Sequence, residues 1–328
     1  MSGLNALRKK IGAARTRRII FPEQNDPRII AAARTLLQGE LAQAVFLHEP
    51  ASPIEGLLVF DRNLDKEMWF AKAVNLHIER QALKGISRES AQDEVRACDL
   101  LLAALLVSVG YADSGVAGSV ASSAAVLRAG IRGVGLDKTA NLLSSCFLMQ
   151  FPDRIITFGD CTIVPDPSAT ELAQIAIACA NTHRSFTNEE PKVALLSFSS
   201  KGSSTHPRTD KVRQALALAR ELAPNLNIDG ELQFDAALFP DIGKQKAPES
   251  LVAGQASVLI FPDLDAGNIG YKIAERLGGA QALGPVSQGM EKPWMDLSRA
   301  CSTEDIVGLS IIACSQVKNS ETSGGQAL

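Results

Sequence analysis

The sequence predicts an α/β fold made of mainly parallel sheets. Short apolar runs alternate with amphipathic segments, a pattern typical of strands joined by helices. Hydrophobic residues make up 46% of the 328 residues, but aromatic residues only 5%. The core is therefore expected to consist of small aliphatic side chains, which suits helices packed on both faces of a parallel sheet.

The first half of the chain begins with the apolar segment 18–23, which is a predicted strand. Asp26 and Pro27 then predict the start of a helix, because aspartate is a good cap and proline suits the first helical position. The run 99–110 is ambiguous between strand and helix, and its first part is interpreted as the end of a helix. The remaining elements predicted here are a strand at 44–49, helices at 65–84, 87–97 and 121–130, and a turn at 115–119.

The second half continues the alternation more clearly. Ser168 with Glu171 three residues later predicts a capped helix start. Strands are predicted at 154–160, 193–200 and 257–262, and helices at 168–181, 210–223 and 269–279. We expect two α/β domains, 1–143 and 144–302, with a final helix at about 303–328 packing back on the first.

Charge and cysteine content exclude several classes of protein. The formal net charge is −3, so no overall positive field would recruit nucleic acid or an anionic membrane. The longest apolar stretch, 100–109, is too short to span a bilayer. The cysteines lack the spacing of a zinc site or a disulfide framework. We therefore expect a cytoplasmic protein with free thiols and no bound metal.

Ligands of open α/β sheets bind where strand-to-helix connections gather. One such connection contains Ser199, Lys201, Gly202 and Ser203, and hydroxyls, a lysine and free N–H groups of a helix start suit an anion. The alternative is a polar loop that caps its own helix. A second connection, 263–268, contains Asp265, Gly267 and Asn268, and is either a ligand-binding loop or a well-formed turn. A third, 113–119, is weak evidence for a nucleotide site.

The segment 296–305 contains a hydroxyl, a guanidinium and a carboxylate within a few residues of one another. Arginine binds phosphate in a bidentate manner, and Asp305 could accept a proton. The alternative is an ordinary helix start, with Ser302 as the cap and Asp305 as its reciprocal partner.

Long stretches of the chain closely resemble the phosphate acetyltransferase (phosphotransacetylase) family. They are LLSFSSKGSSTHPRTDKV, IDGELQFDAAL, KAPESLVAGQASVLIFPDLDAGNIGYKIAERLGGAQALGP and the region DLSRACSTEDIV. Weaker similarity continues toward the N-terminus through IIFPE, ADSGVAGS, AAVLRAG and SSCFLM.

The resemblance implies two α/β domains of the isocitrate/isopropylmalate dehydrogenase type with a cleft between them, and a homodimer. It implies the reaction acetyl-CoA + phosphate = acetyl phosphate + CoA, with no metal or redox cofactor. Ser298, Arg299 and Asp305 fall on the family's catalytic positions, and Arg128 on an active-site arginine. Arg80, Cys161 and the two loops described above are expected to contribute to substrate binding, Cys161 as a neighbour rather than a nucleophile.

The chain departs from the family pattern at Gln81, Ser114, Met295 and Ala300. The alternatives that remain are a propionyl- or butyryl-specific enzyme and a non-catalytic protein that binds CoA or phosphate. An oxidoreductase on the same fold is disfavoured, because no dinucleotide-binding fingerprint with a following ribose-binding acid is present.

Overall fold

This computed structural model describes residues 16–138, 140 and 142–317. The predicted last part of the C-terminal helix, 318–328, and the first residues of the predicted first domain, 1–15, lie outside this range. The strands in chain order are β1 (Arg18–Phe21), β2 (Gln43–Phe46), β3 (Leu58–Val59), β4 (Ser114–Ala117), β5 (Ser144–Gln150), β6 (Ile155–Gly159), β7 (Lys192–Leu196), β8 (Asn227–Leu232), β9 (Val258–Ile260), β10 (Gln281–Gln288) and β11 (Trp294–Asp296). The α-helices are α1 (Pro27–Gln38), α2 (Lys66–Arg80), α3 (Arg88–Arg96), α4 (Asp99–Ser108), α5 (Ser123–Gly133), α6 (Ala169–Thr187), α7 (Pro207–Leu222), α8 (Phe234–Leu238), α9 (Pro240–Lys246), α10 (Leu264–Arg276) and α11 (Thr303–Gln316).

The chain forms two compact units. Among the described residues, the N-terminal unit comprises 16–134, 292–294 and 302–317, and the central unit comprises 135–291, apart from 139 and 141, and 295–301. The predicted division at 143/144 falls at the start of β5. The described part of the last helix, α11, packs on α1 and β4 of the N-terminal unit.

The N-terminal unit is built on a five-stranded sheet of order β11-β4-β1-β2-β3. β1 pairs in parallel with both β2 and β4, and β2 pairs in parallel with β3. The start of α1 follows its sequence signal, because the Asp26 side chain accepts a hydrogen bond from the Arg28 N–H and Pro27 occupies the first turn. The predicted cap of this helix is therefore confirmed.

The central unit is built on a six-stranded sheet of order β10-β5-β6-β9-β7-β8. β10, β5 and β6 pair antiparallel, whereas β6, β9, β7 and β8 form a parallel block. The carboxyl ends of the four parallel strands meet at one edge, so the connections that follow them are neighbours. Together, the two sheets confirm the predicted α/β class with mainly parallel sheets.

The predicted turn at 115–119 is wrong over most of its length, because Ser114–Ala117 forms the fully buried strand β4. Its glycine serves close packing rather than a turn. A Cβ on Gly115 would lie 2.5 Å from the ring of Trp294, and the Trp294 indole N–H donates to the Val126 carbonyl at 3.0 Å. A residue with a side chain at this position would displace that buried ring.

Candidate functional site

Ser298 and Arg299 lie in an exposed turn directly after a buried segment of the central unit. The turn is closed by the Cys301 N–H, which donates to the Ser298 carbonyl at 2.9 Å. The Ala300 N–H donates to the Ser298 hydroxyl oxygen at 3.2 Å. Leu297 just before it is only 3% exposed. The buried anchor therefore holds a hydroxyl and a guanidinium at the protein surface, where they are accessible to a ligand.

Asp305 belongs to the N-terminal unit and takes part in the capping box of α11. Its Oδ2 accepts a hydrogen bond from the Ser302 N–H at 2.9 Å, and its own N–H donates to the Ser302 hydroxyl at 3.2 Å. The alternative interpretation of this segment, a helix start with Ser302 as the cap and Asp305 as its reciprocal partner, is therefore confirmed. Asp305 Oδ1 accepts no hydrogen bond within the described ranges, so one carboxylate oxygen has capacity for a further partner.

The two arginines predicted to bind substrate differ in their surroundings. Arg128 is exposed on α5, and its guanidinium has no polar partner within the part of the chain that the structure describes. Arg80 donates to the carbonyls of Gly133 and Val134, the latter at 2.7 Å, and to the Ser108 hydroxyl at 3.1 Å. These acceptors include the end of α5, so Arg80 links α2 to α5, and its role in substrate binding stays a prediction.

The loop that follows β7 is folded around buried carboxylates of β8. Lys201 makes an ion pair with Asp229, while the Ser199 hydroxyl and the Gly202 N–H donate to Glu231 at 2.9 and 2.8 Å. The Ser203 hydroxyl contacts that of Ser199 at 3.1 Å. Of the groups predicted to bind an anion, Lys201, the Ser199 hydroxyl and the Gly202 N–H therefore already have anionic partners within the protein, whereas the Ser203 hydroxyl contacts a neutral one.

The pKa of Asp229 reflects this pairing. Burial opposes its ionisation, but the hydrogen bond from Lys201 and further hydrogen bonds outweigh that effect and lower the pKa below its usual value. Asp229 is 4% exposed and Glu231 1%. Buried carboxylates of this kind must be paired to remain charged, so the lysine and the loop N–H groups are needed where they are.

The segment 263–268 is a helix start, which corrects the prediction of a loop or turn. The Asp263 side chain accepts from the Ala266 N–H, and α10 includes Asp265, Gly267 and Asn268. A Cβ on Gly267 would lie 2.3 Å from the Asp160 carbonyl oxygen. Asn268 donates its amide to the Cys161 carbonyl at 3.0 Å. The glycine and the amide therefore join α10 to the connection after β6.

Cys161 is completely buried, with an exposed fraction of 0%. Burial raises the pKa of its thiol well above the usual value, and the nearby charge of Asp160 acts in the same direction. A buried neutral thiol is a poor nucleophile. This agrees with the expectation that Cys161 does not attack the substrate.

An open cavity of about 780 Å³ lies within the central unit, at the carboxyl ends of β7, β8 and β9. Its lining combines apolar side chains with charged ones, including Phe198, Phe234, Ile269, Arg208, Lys211 and Asp166. Lys211 pairs with Asp166 at 2.8 Å and donates to the Pro262 carbonyl at 3.0 Å. These lining residues were not among the predicted site residues. Strands were predicted at 193–200 and 257–262, which overlap β7 and β9, but no strand was predicted at the position of β8, and Phe198 was assigned to a strand although β7 ends at Leu196.

The described ranges contain no group of three or more His, Cys, Asp or Glu side chains placed to hold a metal ion. None of the helices in those ranges has the length and hydrophobicity needed to cross a membrane.

Comparison with known proteins identifies the family. The model of the family described as "Phosphate acetyl/butaryl transferase" matches residues 4–314. The chain belongs to this family. It is 44% identical over 308 residues to the phosphate acetyltransferase of Paracoccus denitrificans, covering 92% of this chain and 95% of that protein. It is 41% identical over 314 residues to the enzyme of that name from Thermoanaerobacterium thermosaccharolyticum, with the same coverage of 92% and 95%.

Solved structures agree with this assignment. A phosphotransacetylase from Streptococcus pyogenes has a TM-score of 0.88 and 39% identity, covering 96% of this chain and 98% of that chain. The EutD phosphotransacetylase from Staphylococcus aureus has a TM-score of 0.87 and 35% identity, again covering 96% and 98%. As a member of this family of acyltransferases, the chain is an enzyme.

The departures from the family pattern lie in different environments. Ser114 is buried within β4, where its hydroxyl lies 4.0 Å from the thiol of Cys314. Met295 is also completely buried. Gln81 follows the last residue of α2, and Ala300 lies in the exposed turn that carries Arg299. Ser114 and Met295 therefore contribute to internal packing, whereas Ala300 lies directly beside a predicted catalytic side chain.

Proposed function

We propose that this protein is a phosphate acetyltransferase that catalyses acetyl-CoA + phosphate = acetyl phosphate + CoA. The observation that carries the proposal is similarity to phosphate acetyltransferases over nearly the whole length of both chains. Ser298, Arg299 and Asp305, which the family resemblance implies to be catalytic, are all present in this sequence.

In the direction of acetyl-CoA synthesis, the thiol of CoA attacks the carbonyl carbon of acetyl phosphate. Asp305 accepts the thiol proton, the new C–S bond forms, and the C–O bond to phosphate breaks. General base catalysis of this kind contributes about 10²–10⁴-fold. The available Oδ1 of Asp305 supports this assignment, because its capping interaction occupies only Oδ2.

Arg299 and Arg128 are proposed to bind the phosphate group and to compensate the charge of the leaving group. Ser298 would donate a hydrogen bond to the oxyanion that develops on the carbonyl oxygen. A thiol with an ordinary pKa of about 8.5 is also more acidic beside a guanidinium group. Exposure of Ser298 and Arg299, and the absence of any partner for Arg128 within the described ranges, support these roles.

Transfer is proposed to occur directly between the two substrates, without an acyl-enzyme and without a metal or redox cofactor. Atoms and charges balance in a single displacement, so no oxidant or reductant enters the reaction. Burial of Cys161 and its raised pKa support the absence of a cysteine nucleophile. For the loop containing Lys201, its internal ion pair favours a supporting role at the site over direct contact with phosphate.

The test is phosphate-dependent release of CoA from acetyl-CoA, followed with a thiol reagent. Arg299→Ala should lower kcat/KM by about 10²–10³-fold, the loss typical of removing one group that stabilises transition-state charge. Arg184→Ala is the control, because Arg184 is an exposed arginine of α6 that pairs with Glu190 at the protein surface. It should retain activity.

Propionyl-CoA and butyryl-CoA assayed in parallel determine the acyl preference. Faster release from either of these would replace acetyl as the preferred group. A folded protein that releases CoA from none of the three thioesters would refute the enzymatic proposal and favour a binding protein.

We further propose that the enzyme is a cytoplasmic homodimer that does not bind nucleic acid or membranes. The central unit exposes large apolar side chains: Phe198 55%, Phe234 49%, Phe239 50%, Leu251 76% and Ile269 57%. Covering such side chains with a second copy would be favourable. Light scattering coupled to size-exclusion chromatography should give twice the chain mass of 34.9 kDa, and a monomer at micromolar concentration would refute the dimer.

A further inference from the structure

One carboxylate in the N-terminal unit accepts hydrogen bonds from a whole loop. Four consecutive backbone N–H groups, those of Gly118, Ser119, Val120 and Ala121, donate to Glu23 at 2.6, 2.8, 3.0 and 2.6 Å. The Ser119 hydroxyl adds a fifth donor at 3.1 Å. Successive N–H groups that converge in this way form a cradle for an anion, and here the anion is a side chain of the protein itself.

The backbone of the loop is shaped for this contact. Gly118 has a φ of 108°, a conformation that residues with a side chain rarely adopt. Ser119 is only 3% exposed. The loop therefore has a sharply defined conformation, although it contains neither a helix nor a strand.

A second interaction holds the same loop, this time through a guanidinium that binds a carbonyl oxygen of the loop. The Arg28 guanidinium donates to the Ser119 carbonyl at 2.8 Å, and it is held by Asp26 at 2.6 Å. Glu23 and Asp26 lie in the connection between β1 and α1, and Arg28 lies in the first turn of α1. β1 and β4 are neighbouring parallel strands, so this connection and the loop after β4 emerge side by side at the carboxyl edge of the sheet.

The loop leads directly into α5, which carries Arg128. Ser122 caps this helix by accepting from the Ala125 N–H. Arg128 lies five residues after the first helical residue, which corresponds to about 7.5 Å along a rigid helix. A displacement of the loop would therefore move the guanidinium as well.

We propose that Glu23 is a positioning residue for phosphate binding: its carboxylate holds the loop 118–121 and thereby fixes the place of Arg128. The inference rests on the proposed function, in which Arg128 binds the phosphate group. Glu23 acts through the loop and does not touch the substrate, so its loss should weaken phosphate binding more than CoA binding.

The test is Glu23→Gln, which keeps the shape of the side chain but presents an amide group to N–H donors. Glu55→Gln is the matched control, since Glu55 is an exposed glutamate of the same unit. In Glu23→Gln, hydrogen exchange of the amides at 118–121 should accelerate, and KM for phosphate should rise about tenfold. KM for CoA should change less than twofold, and Glu55→Gln should behave as the wild type.

A double-mutant cycle separates positioning from general destabilisation. On an Arg128→Ala background, Glu23→Gln should raise KM for phosphate by less than twofold, because the group that it positions is gone. A full tenfold effect on that background, or an unchanged KM in the single variant, would overturn the proposal. If Glu23→Gln does not fold, Ser119→Ala removes only the hydroxyl donor and should raise KM for phosphate about twofold, whereas an unchanged value would overturn the proposal.

Phosphate binding measured by calorimetry distinguishes this inference from the proposed function. If the wild type binds phosphate but does not release CoA from acetyl-CoA, the proposed function is refuted. The positioning role of Glu23 would then be tested by a tenfold rise in the Kd for phosphate in Glu23→Gln. A wild type that shows neither binding nor turnover overturns both. Wild-type activity together with a normal KM for phosphate in Glu23→Gln overturns the positioning role alone.

Discussion

The carboxyl group of Asp305 has two roles that can be separated by experiment, a structural one observed at the start of α11 and a proposed catalytic one. Ser302 shares only the first of them, through the two hydrogen bonds of the capping box at 2.9 and 3.2 Å. Ser302→Ala removes the hydroxyl that caps the helix but leaves the carboxylate intact. Asp305→Asn keeps an oxygen that can accept the Ser302 N–H, but it removes the charge and the basicity.

The expected free-energy changes are similar in the two variants. Loss of a serine cap costs about 1 kcal/mol, within a range of about 0.5–2. Loss of a negative charge from the first helical turn costs about 0.3–1 kcal/mol. Both variants should therefore unfold at slightly lower urea concentrations than the wild type, and each serves as the stability control for the other.

The activities should differ widely. Ser302→Ala is expected to keep kcat within about threefold of the wild type, whereas Asp305→Asn should lower it by about 10²–10⁴-fold. Urea unfolding and phosphate-dependent CoA release, measured on the same preparations, provide both quantities. If the two variants lose activity equally and in proportion to stability, then Asp305 is only a helix cap and the assignment of the general base is refuted.

Two further predictions concern stability. A Cβ at Gly267 would lie 2.3 Å from a backbone oxygen of Asp160, whereas one at Gly270 would first meet a side-chain ring atom at 3.0 Å. Gly267→Ala should therefore destabilise the protein by about 1–3 kcal/mol, despite the better helix propensity of alanine. Gly270→Ala should stay within about 1 kcal/mol of the wild type. Equal urea midpoints for the two variants would contradict this prediction. Burial and, to a smaller extent, the charge of Arg184 lower the pKa of His183 from 6.5 to about 4. As the pH falls, the unfolded chain therefore takes up this proton before the folded protein does. The stability that the neutral imidazole contributes is complete above pH 6.5 and is lost as the pH falls toward 4. The loss is at most about 3 kcal/mol, and His183→Gln should flatten the pH dependence of unfolding in this window, whereas an unchanged slope would show that His183 does not contribute.

The starts of several helices could be predicted because their signals are local. Asp26 with Pro27, and Ser168 with Glu171, form the predicted caps at α1 and α6. In such motifs the donor and acceptor lie within three residues of each other, so a short stretch of sequence contains the complete interaction. The alternating strands and helices were predictable for a similar reason, because apolar periodicity reports which face of an element is buried.

The glycine-rich segments were misjudged because a glycine can serve either a turn or a close approach. Gly115 lies in a strand against Trp294, and Gly267 lies in a helix against Asp160. Sequence alone shows the missing side chain but not the group that fills its space. That group is distant along the chain, and only packing of the elements brings it near.

The α/β class, the capped helix starts and, through long family motifs, the residues proposed to be catalytic could all be predicted from the amino-acid sequence. How the charged groups are used became clear only from the packing of distant segments. Lys201 pairs with Asp229, 28 residues away, and Arg80 donates to carbonyls 53 and 54 residues away. Glu23 organises a loop more than 90 residues further along the chain. This follows because a buried or half-buried charge takes the nearest partner in space, and the fold, not the local sequence, determines which partner that is.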